Sequence, residues 1–345
     1  MSSMTRAGGY AKKIGLTVLF VGLIVVVWAA VLFLAGANPV LSFVYIFKGA
    51  LVGTSNLFST LDLMVPMMLL ALAVAIPGWA GVWNIGGEGQ FLLGALAAAW
   101  VGISIDLGNP FLDVFLALFA AMVAGLVWSS WAGYLKVKLQ INEIVTTLMA
   151  NYIATLLVSY LVNYPLKEAG SSWAQTAYIK RPFQLHHLVG GSQFSLTFFI
   201  STGIVLVFFL LEKRTRLGYE LTMIGSNERL SYLGGISIAA KRMVAMLLGG
   251  AVAGLAGGLV VLGNTYRMKE GISPGYGFTG LLVCLLADND PILIILVSFL
   301  FAVLQSGSLN LQLFSDIPVE ISGVLQVVLI LFVAAFRIMI RKKER

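Results

Sequence analysis

Residues 78–90 read Gly78-Trp79-Ala80-Gly81-Val82-Trp83-Asn84-Ile85-Gly86-Gly87-Glu88-Gly89-Gln90, five glycines in thirteen positions between two apolar stretches, Leu57–Ile76 and Phe91–Ile105. A second tract, Gly271-Ile272-Ser273-Pro274-Gly275-Tyr276-Gly277-Phe278-Thr279-Gly280, leads into the apolar Phe278–Ala287. Glycine and proline both release the backbone from the helix. At about 1.5 Å per residue, Phe91–Ile105 covers ~22 Å and Phe278–Ala287 ~15 Å of a ~30 Å hydrocarbon core. Neither crosses easily unless the tract ahead of it also lies at membrane depth. Loosened backbone survives there only where protein or a water-filled cavity covers it, since each unpaired group in hydrocarbon costs several kcal/mol. Short, Gly/Pro-interrupted segments in corresponding halves are the best sequence pointer to a transport pathway. The competing reading is a pair of ordinary interfacial turns.

Working outward, further apolar stretches lie at Ile14–Ala35, Phe111–Leu135, Ile141–Val162, Phe194–Leu211, Met243–Gly263, Ile292–Leu309 and Val319–Ile340, giving ten expected spans in one 1–345 transmembrane domain. The first is read as a retained helix, because its apolar core exceeds the ~7–15 residues of a cleaved signal. With the N-terminus in the cytoplasm, 16 of the 22 Lys and Arg residues fall on cytoplasmic pieces, chiefly 212–242 and the two termini. That is the positive-inside bias, and it orients both termini inward and the 164–192 loop outward. The two short spans are the third and the eighth. An offset of five is odd, so a repeat of five spans must lie upside down. The expected fold is therefore an all-α polytopic membrane protein with about ten transmembrane helices in two inverted-topology halves, interrupted by broken short helices.

Composition agrees. The 345 residues are 59% hydrophobic and only 11% charged, against roughly 25% charged in soluble domains. The formal charge of +7 belongs to the inner membrane face, which removes nucleic acid as a partner. A soluble enzyme and a disulfide-rich secreted domain are excluded too, since Cys284 is the single cysteine. His186-His187 stands without a Cys or acidic cluster, so no metal site is expected.

Several residues stand out within this frame. Glu88 is an ionisable group expected at or near membrane depth, where carboxylates line pathways or pair with a partner. Glu143, Thr147, Asn151 and Thr155 recur every four residues and share a helix face, which Asn142 and Thr146 widen. That face belongs in the bundle interior, either along a pathway or in interhelical hydrogen bonds. Gly250, Gly254 and Gly258 repeat every four residues as a close-packing surface. Ser226 or Asn227 can cap a short cytoplasmic helix that Gly234-Gly235 ends, with Leu230 and Leu233 on one face beside Glu228 and Arg229. Such a helix suits docking into a partner's groove or lying at the interface. No G-x-x-x-x-G-K-[ST] phosphate loop occurs, so ATP, if used, binds another chain. Asp288-Asn289-Asp290-Pro291 reads as a turn with proline starting the next helix.

The Asn84-Ile85-Gly86-Gly87-Glu88-Gly89-Gln90 stretch resembles the signature of permease subunits of ABC importers in the ribose/branched-chain amino acid superfamily. Asn142-Glu143-Ile144-Val145-Thr146-Thr147-Leu148-Met149-Ala150-Asn151-Tyr152-Ile153 is similar to its general nucleoside (simple-sugar-like) branch. Gly225-x-Asn227 followed by Gly235-Ile236 looks like that family's coupling loop, although Leu230-Ser231 stands where the family usually has two small residues. The similarity runs from about residue 14 to 340. It implies inverted halves, a second related permease, two cytoplasmic ATP-binding subunits that carry ATP and Mg, and an extracellular or lipid-anchored substrate-binding protein. No cofactor is then expected on this chain, and the cargo is nucleosides. The expected pathway residues are Asn84, Glu88, Gln90, Asn142, Glu143, Thr147, Asn151, Tyr276, Phe278 and Thr279. Coupling is expected through Gly225, Asn227, Glu228, Arg229, Leu230, Leu233 and Gly235. The alternatives are a permease for simple sugars or branched-chain amino acids, and an ion-coupled secondary transporter, for which Asp62 and Glu88 are the few candidate acids.

Overall fold

The computed structural model describes residue 20 and residues 22–314 and 321–343. Residues 14–19 of the first expected span, Arg6, Lys12 and Lys13 ahead of it, and residues 319–320 of the last span lie outside that set. Regular structure among the described residues is helical, with two isolated bridge pairs, Gln175 with Lys269 and His187 with Ser195. The helices are α1 (Gly22–Leu34), α2 (Pro39–Leu51), α3 (Thr54–Trp79), α4 (Gly87–Ser104), α5 (Pro110–Leu139) and α6 (Glu143–Asn163). After a 3-10 turn at Arg181–Phe183 follow α7 (Thr197–Arg214), α8 (Arg216–Ser226), α9 (Glu228–Leu233), α10 (Ile238–Val260), α11 (Tyr276–Ala287), α12 (Pro291–Phe314) and α13 (Ile321–Lys343).

Each expected apolar stretch is helical in its described part to within a few residues. Among the described residues five helices are long and apolar enough to cross a membrane: α3, α5, α6, α10 with the turn that follows it, and α12. The bent pair α1 and α2 makes a sixth if counted as one span, its axes turning by 106°. Helix α2 was not anticipated. Thirteen residues are too few for a span, and the signal that starts it is local: the Asn38 side chain accepts from Val40 N and Leu41 N, and Pro39 occupies the first helical position. Helix α4 starts at Gly87 and so reaches 18 residues; the glycine tract itself extends the short span.

The described residues form two compact units, one drawn from residues 22–60 and 301–343 and the other residues 61–300. Within the first, Trp28 Nε1 donates to Leu325 O at 2.8 Å, and Asn310 Nδ2 donates to Gly49 O at 3.0 Å. Thr60 Oγ1 donates to Ala50 O at 2.9 Å, fixing the entry into α3. Within the second, α10 is the buried centre, with 83% of its apolar window enclosed, and α5 and α6 are peripheral, at 22% and 28%. The glycine repeat on α10 is the contact surface anticipated for it. A methyl group on Gly250 would overlap Ser129 and Gly125 of α5, and one on Gly254 would overlap Ala121 O. On the neighbouring face Gly257 meets the backbone of Phe91 and Ala95 in α4. The Asp290 side chain accepts from Ile292 N and Leu293 N at 2.9 and 3.1 Å and caps α12 at Pro291, as the Asp-Asn-Asp-Pro turn predicts.

Candidate functional site

Helix α3 ends at Trp79, two residues past Pro77. The turn closes with Ala80 N and Val82 N donating to Pro77 O, at 2.9 and 3.1 Å. Gly81 has φ +70°, a value that only glycine adopts without strain. The chain then runs without helical bonds through residues 82–86, and side chains supply what regular structure does not. Asn84 Oδ1 accepts from Gly86 N at 3.1 Å, while Asn84 and Gln90 exchange two amide hydrogen bonds of 3.0 Å. From α6, Thr147 Oγ1 accepts from Ile85 N at 3.2 Å. Asn151 Nδ2 donates to Ile85 O at 2.8 Å and its Oδ1 accepts from Gly89 N at 2.9 Å. Gly89 permits that approach, since a methyl there would sit 2.9 Å from Ala154 Cβ and 3.2 Å from Asn151 Cα. Asn84, Gln90, Thr147 and Asn151 are all buried. They turn their polar atoms to one another and to the tract, building its wall.

Glu88 lies in the first turn of α4, and its Oε2 accepts from Gly277 N, in the first turn of α11, at 2.6 Å. The Ser273 side chain lies beside it. A single carboxylate thus sits at two helix N-termini, where orphan N–H groups and the helix dipoles favour negative charge. The two glycine tracts meet here. A methyl on Gly277 would lie 2.7 Å from Glu88 Cα, and the Tyr276 and Phe91 rings pack edge to face with centroids 6.0 Å apart. Thr279 donates to Gly275 O at 3.3 Å within α11, and Phe278 is exposed. Asn142 caps α6 by accepting from Ile144 N at 2.9 Å. Glu143 pairs with Lys136 at 2.8 Å, with the Trp83 amide facing it.

The 212–242 segment packs against the same turn. Asn227, rather than Ser226, caps α9 by accepting from Leu230 N at 3.0 Å, and Gly234 with Gly235, φ +77°, ends it. Ser231 faces inward, while Arg229, Leu230 and Leu233 are exposed. A methyl on Gly225 would overlap Trp79 O. Arg242 clamps Glu228 with bonds of 3.1 and 2.9 Å and reaches Ala80 O with Nε at 3.3 Å. Trp79 Nε1 donates to Asn289 O at 2.9 Å, past the end of α11. No local pattern marks Trp79 and Arg242 as junctions, because each reaches a main-chain carbonyl more than 160 residues away.

At the end carrying the 164–192 loop, a cavity of about 980 Å³ is lined by polar and aromatic groups including Trp173, Tyr178, Asn264 and Arg267. Arg267 lies over the Tyr178 ring at 3.8 Å, bonds its hydroxyl and pairs with Glu168 at 3.4 Å. A second cavity of about 20 Å³ is bordered by Asp62, Asn264 and Tyr276. Asp62 was legible as the sole charge in its apolar stretch; its partner Asn264, donating to Asp62 Oδ2 at 2.9 Å, was not. His187 bonds Gly263 O at 3.2 Å and stacks on Tyr266.

Membrane-length apolar helices, two loosened tracts joined at a buried carboxylate, and a surface helix wired to them describe a membrane transport permease. Residues 56–334 match the family described as branched-chain amino acid transport system / permease component, and the chain belongs to it. The glucose ABC transporter permease protein TsgB13 of Haloferax volcanii is 33% identical over 306 residues, covering 86% of this chain and 80% of its own. The guanosine ABC transporter permease protein NupP of Bacillus subtilis is 34% identical, covering 80% of each chain. The nucleoside ABC transporter permease protein NupB of Lactococcus lactis subsp. cremoris is 30% identical, covering 88% and 86%. This protein is thus a multi-pass transport component of the ABC permease class, and the ion-coupled carrier is set aside.

Proposed function

We propose that this chain is the permease subunit of an ATP-driven importer that moves nucleosides across the cytoplasmic membrane. Both termini lie in the cytoplasm and the 164–192 loop lies outside, the arrangement that follows the positive-inside rule. Ten crossings in inverted-topology halves place the tracts 78–90 and 271–280 opposite one another. A cytoplasmic ATP-binding subunit docks on the exposed Arg229, Leu230 and Leu233 and carries the ATP and Mg; this chain holds no cofactor and performs no bond chemistry. A second related permease and an extracellular or lipid-anchored substrate-binding protein complete the assembly.

The observation that carries this reading is the unbroken line of contacts from α9 to the tracts. Glu228 and Arg242 link α9 to Ala80, Gly225 backs onto Trp79, and the tract runs on to Glu88 and Gly277. Both ends of α11 are held by this line, at Gly277 and, through Trp79, at Asn289. A push on α9 therefore reaches the segment that flanks the path. Asn84, Gln90, Thr147 and Asn151 serve as the rigid wall of that path, Asn142 and Glu143 hold the helix that bears it, and Tyr276, Phe278 and Thr279 start the opposed helix. Kinship with permeases named for guanosine and nucleosides supports the cargo. Kinship with a glucose permease supports simple sugars as the second reading.

Reconstitution tests it. Proteoliposomes containing this chain, its partner permease and the ATP-binding subunits should take up guanosine only with ATP and the binding protein present. Uptake driven by an ion gradient without the ATP-binding subunits overturns the proposal, and uptake of glucose alone selects the second reading.

A further inference from the structure

Asp62 is buried in the interior of α3, four residues before Pro66. A carboxylate in an apolar spanning helix is costly and marks a functional position by default. Its Oδ2 accepts from Asn264 Nδ2 at 2.9 Å. Asn264 lies in the wider, π-type turn Val261–Thr265 that ends α10, a geometry frequent at functional sites. It borders the cavity of about 980 Å³ on one side and the cavity of about 20 Å³ on the other. The smaller space holds about one water and no solute. Beyond it stand Tyr276 and then Glu88, at the junction of the two tracts.

We propose that Asp62 and Asn264 form the gate at the floor of the large cavity, and that the opened gate presents Asp62 to a vicinal diol on the passing substrate. This rests on the importer reading, with the large cavity as the outer vestibule. Both walls are built to yield. Pro66 has no N–H to return to the Asp62 carbonyl, so α3 lacks a rung at this turn, and the facing wall is the π-type turn. When Asn264 withdraws, Asp62 offers two acceptor oxygens side by side. An acidic side chain reading a ribose hydroxyl is established chemistry. The shared recognition element is a pair of adjacent hydroxyls, which ribonucleosides and hexoses both possess.

The test uses the complete importer in proteoliposomes, with guanosine against 2′,3′-dideoxyguanosine and glucose against 2,4-dideoxyglucose, which keeps no adjacent pair of hydroxyls. Wild type should prefer the diol-bearing member of the transported pair by about tenfold or more, and Asp62→Asn should reduce that preference to within about twofold. Asn264→Ala keeps the carboxylate but removes the closing bond, so ATP-independent leak of the diol solute should rise by about tenfold while the preference remains. The leak assay keeps the proposal open to refutation if Asp62→Asn fails to insert. A wild type indifferent to the diol, an Asp62→Asn variant with unchanged preference, or an Asn264→Ala variant without added leak overturns the gate while leaving the importer intact. An importer that carries neither guanosine nor glucose overturns both.

Discussion

Glu88 Oε2 and the backbone N–H of Gly277 lie 2.6 Å apart across 189 residues of sequence, and at that point two glycine-rich tracts become one structure. The bond needs both partners as they are. Glu88 supplies the acceptor at the start of α11, and Gly277 supplies an absence, since any side chain would occupy the place of the Glu88 backbone.

Gly277→Ala should therefore destabilise the protein by about 1–3 kcal/mol, the usual range for overpacking against atoms that cannot move aside. Gly87→Ala is the control. A methyl there meets Leu70 Cδ2 at 3.4 Å and Gly277 Cα at 3.9 Å, both ordinary van der Waals contacts, and alanine is the better helix former. Thermal unfolding in detergent should rank Gly277→Ala well below wild type, with Gly87→Ala close to it. Equal midpoints for the two variants refute the close approach.

The sequence made part of this legible. Apolar length located the helices, and the five glycines at 78–89 located the break, because both signals are local. The period-four stripe of Glu143, Thr147 and Asn151 indicated an inward face, but not that Ile85 and Gly89 would be what it touched. Long-range partners such as Glu88 with Gly277, Arg242 with Ala80, and Asp62 with Asn264 are set by tertiary packing and leave no periodic trace. Helix α2 escaped because thirteen residues fall below the length at which hydropathy marks a span.

Asn151→Ala strips partners from two main-chain groups, Ile85 O and Gly89 N. Buried groups left unpaired cost about 1–3 kcal/mol each. Thr147→Val removes one acceptor, for Ile85 N. The expected order of thermal stability is wild type, then Thr147→Val, then Asn151→Ala. An Asn151→Ala protein as stable as Thr147→Val means that these bonds do not hold the tract.

Acid should weaken the 212–242 segment through Glu220. On α8 its Oε2 lies 2.5 Å from Lys241 Nζ and its Oε1 lies 2.8 Å from Arg216 Nε. Lys241 first and then Arg216 hold its carboxyl below the ordinary value of 4.5. The unfolded chain binds the proton at higher pH than the folded one, so this contribution is complete above 4.5 and is lost as pH falls through the lowered value. Glu220→Gln should unfold at a lower temperature than wild type at about pH 7, with the gap closing towards about pH 3. A gap that stays constant across that range removes Glu220 as its source.

Arg229 and Leu233 separate docking from folding. Both are exposed, and α9 is fixed without them by the Asn227 cap, the buried Ser231 and the Glu228–Arg242 pair. Replacing both should leave insertion and thermal unfolding within about 0.5 kcal/mol of wild type, as at other exposed positions. ATP-dependent uptake should nevertheless be abolished, because the proposed docking sets these groups against the ATP-binding subunit. Arg242→Ala gives the contrasting result, a weaker fold together with weaker transport, since Arg242 ties α9 to the turn at Ala80. Co-purification of the ATP-binding subunit decides between the mechanisms: it should fall with the Arg229/Leu233 double variant. Full retention of both the subunit and uptake by that variant removes residues 226–235 as the docking element.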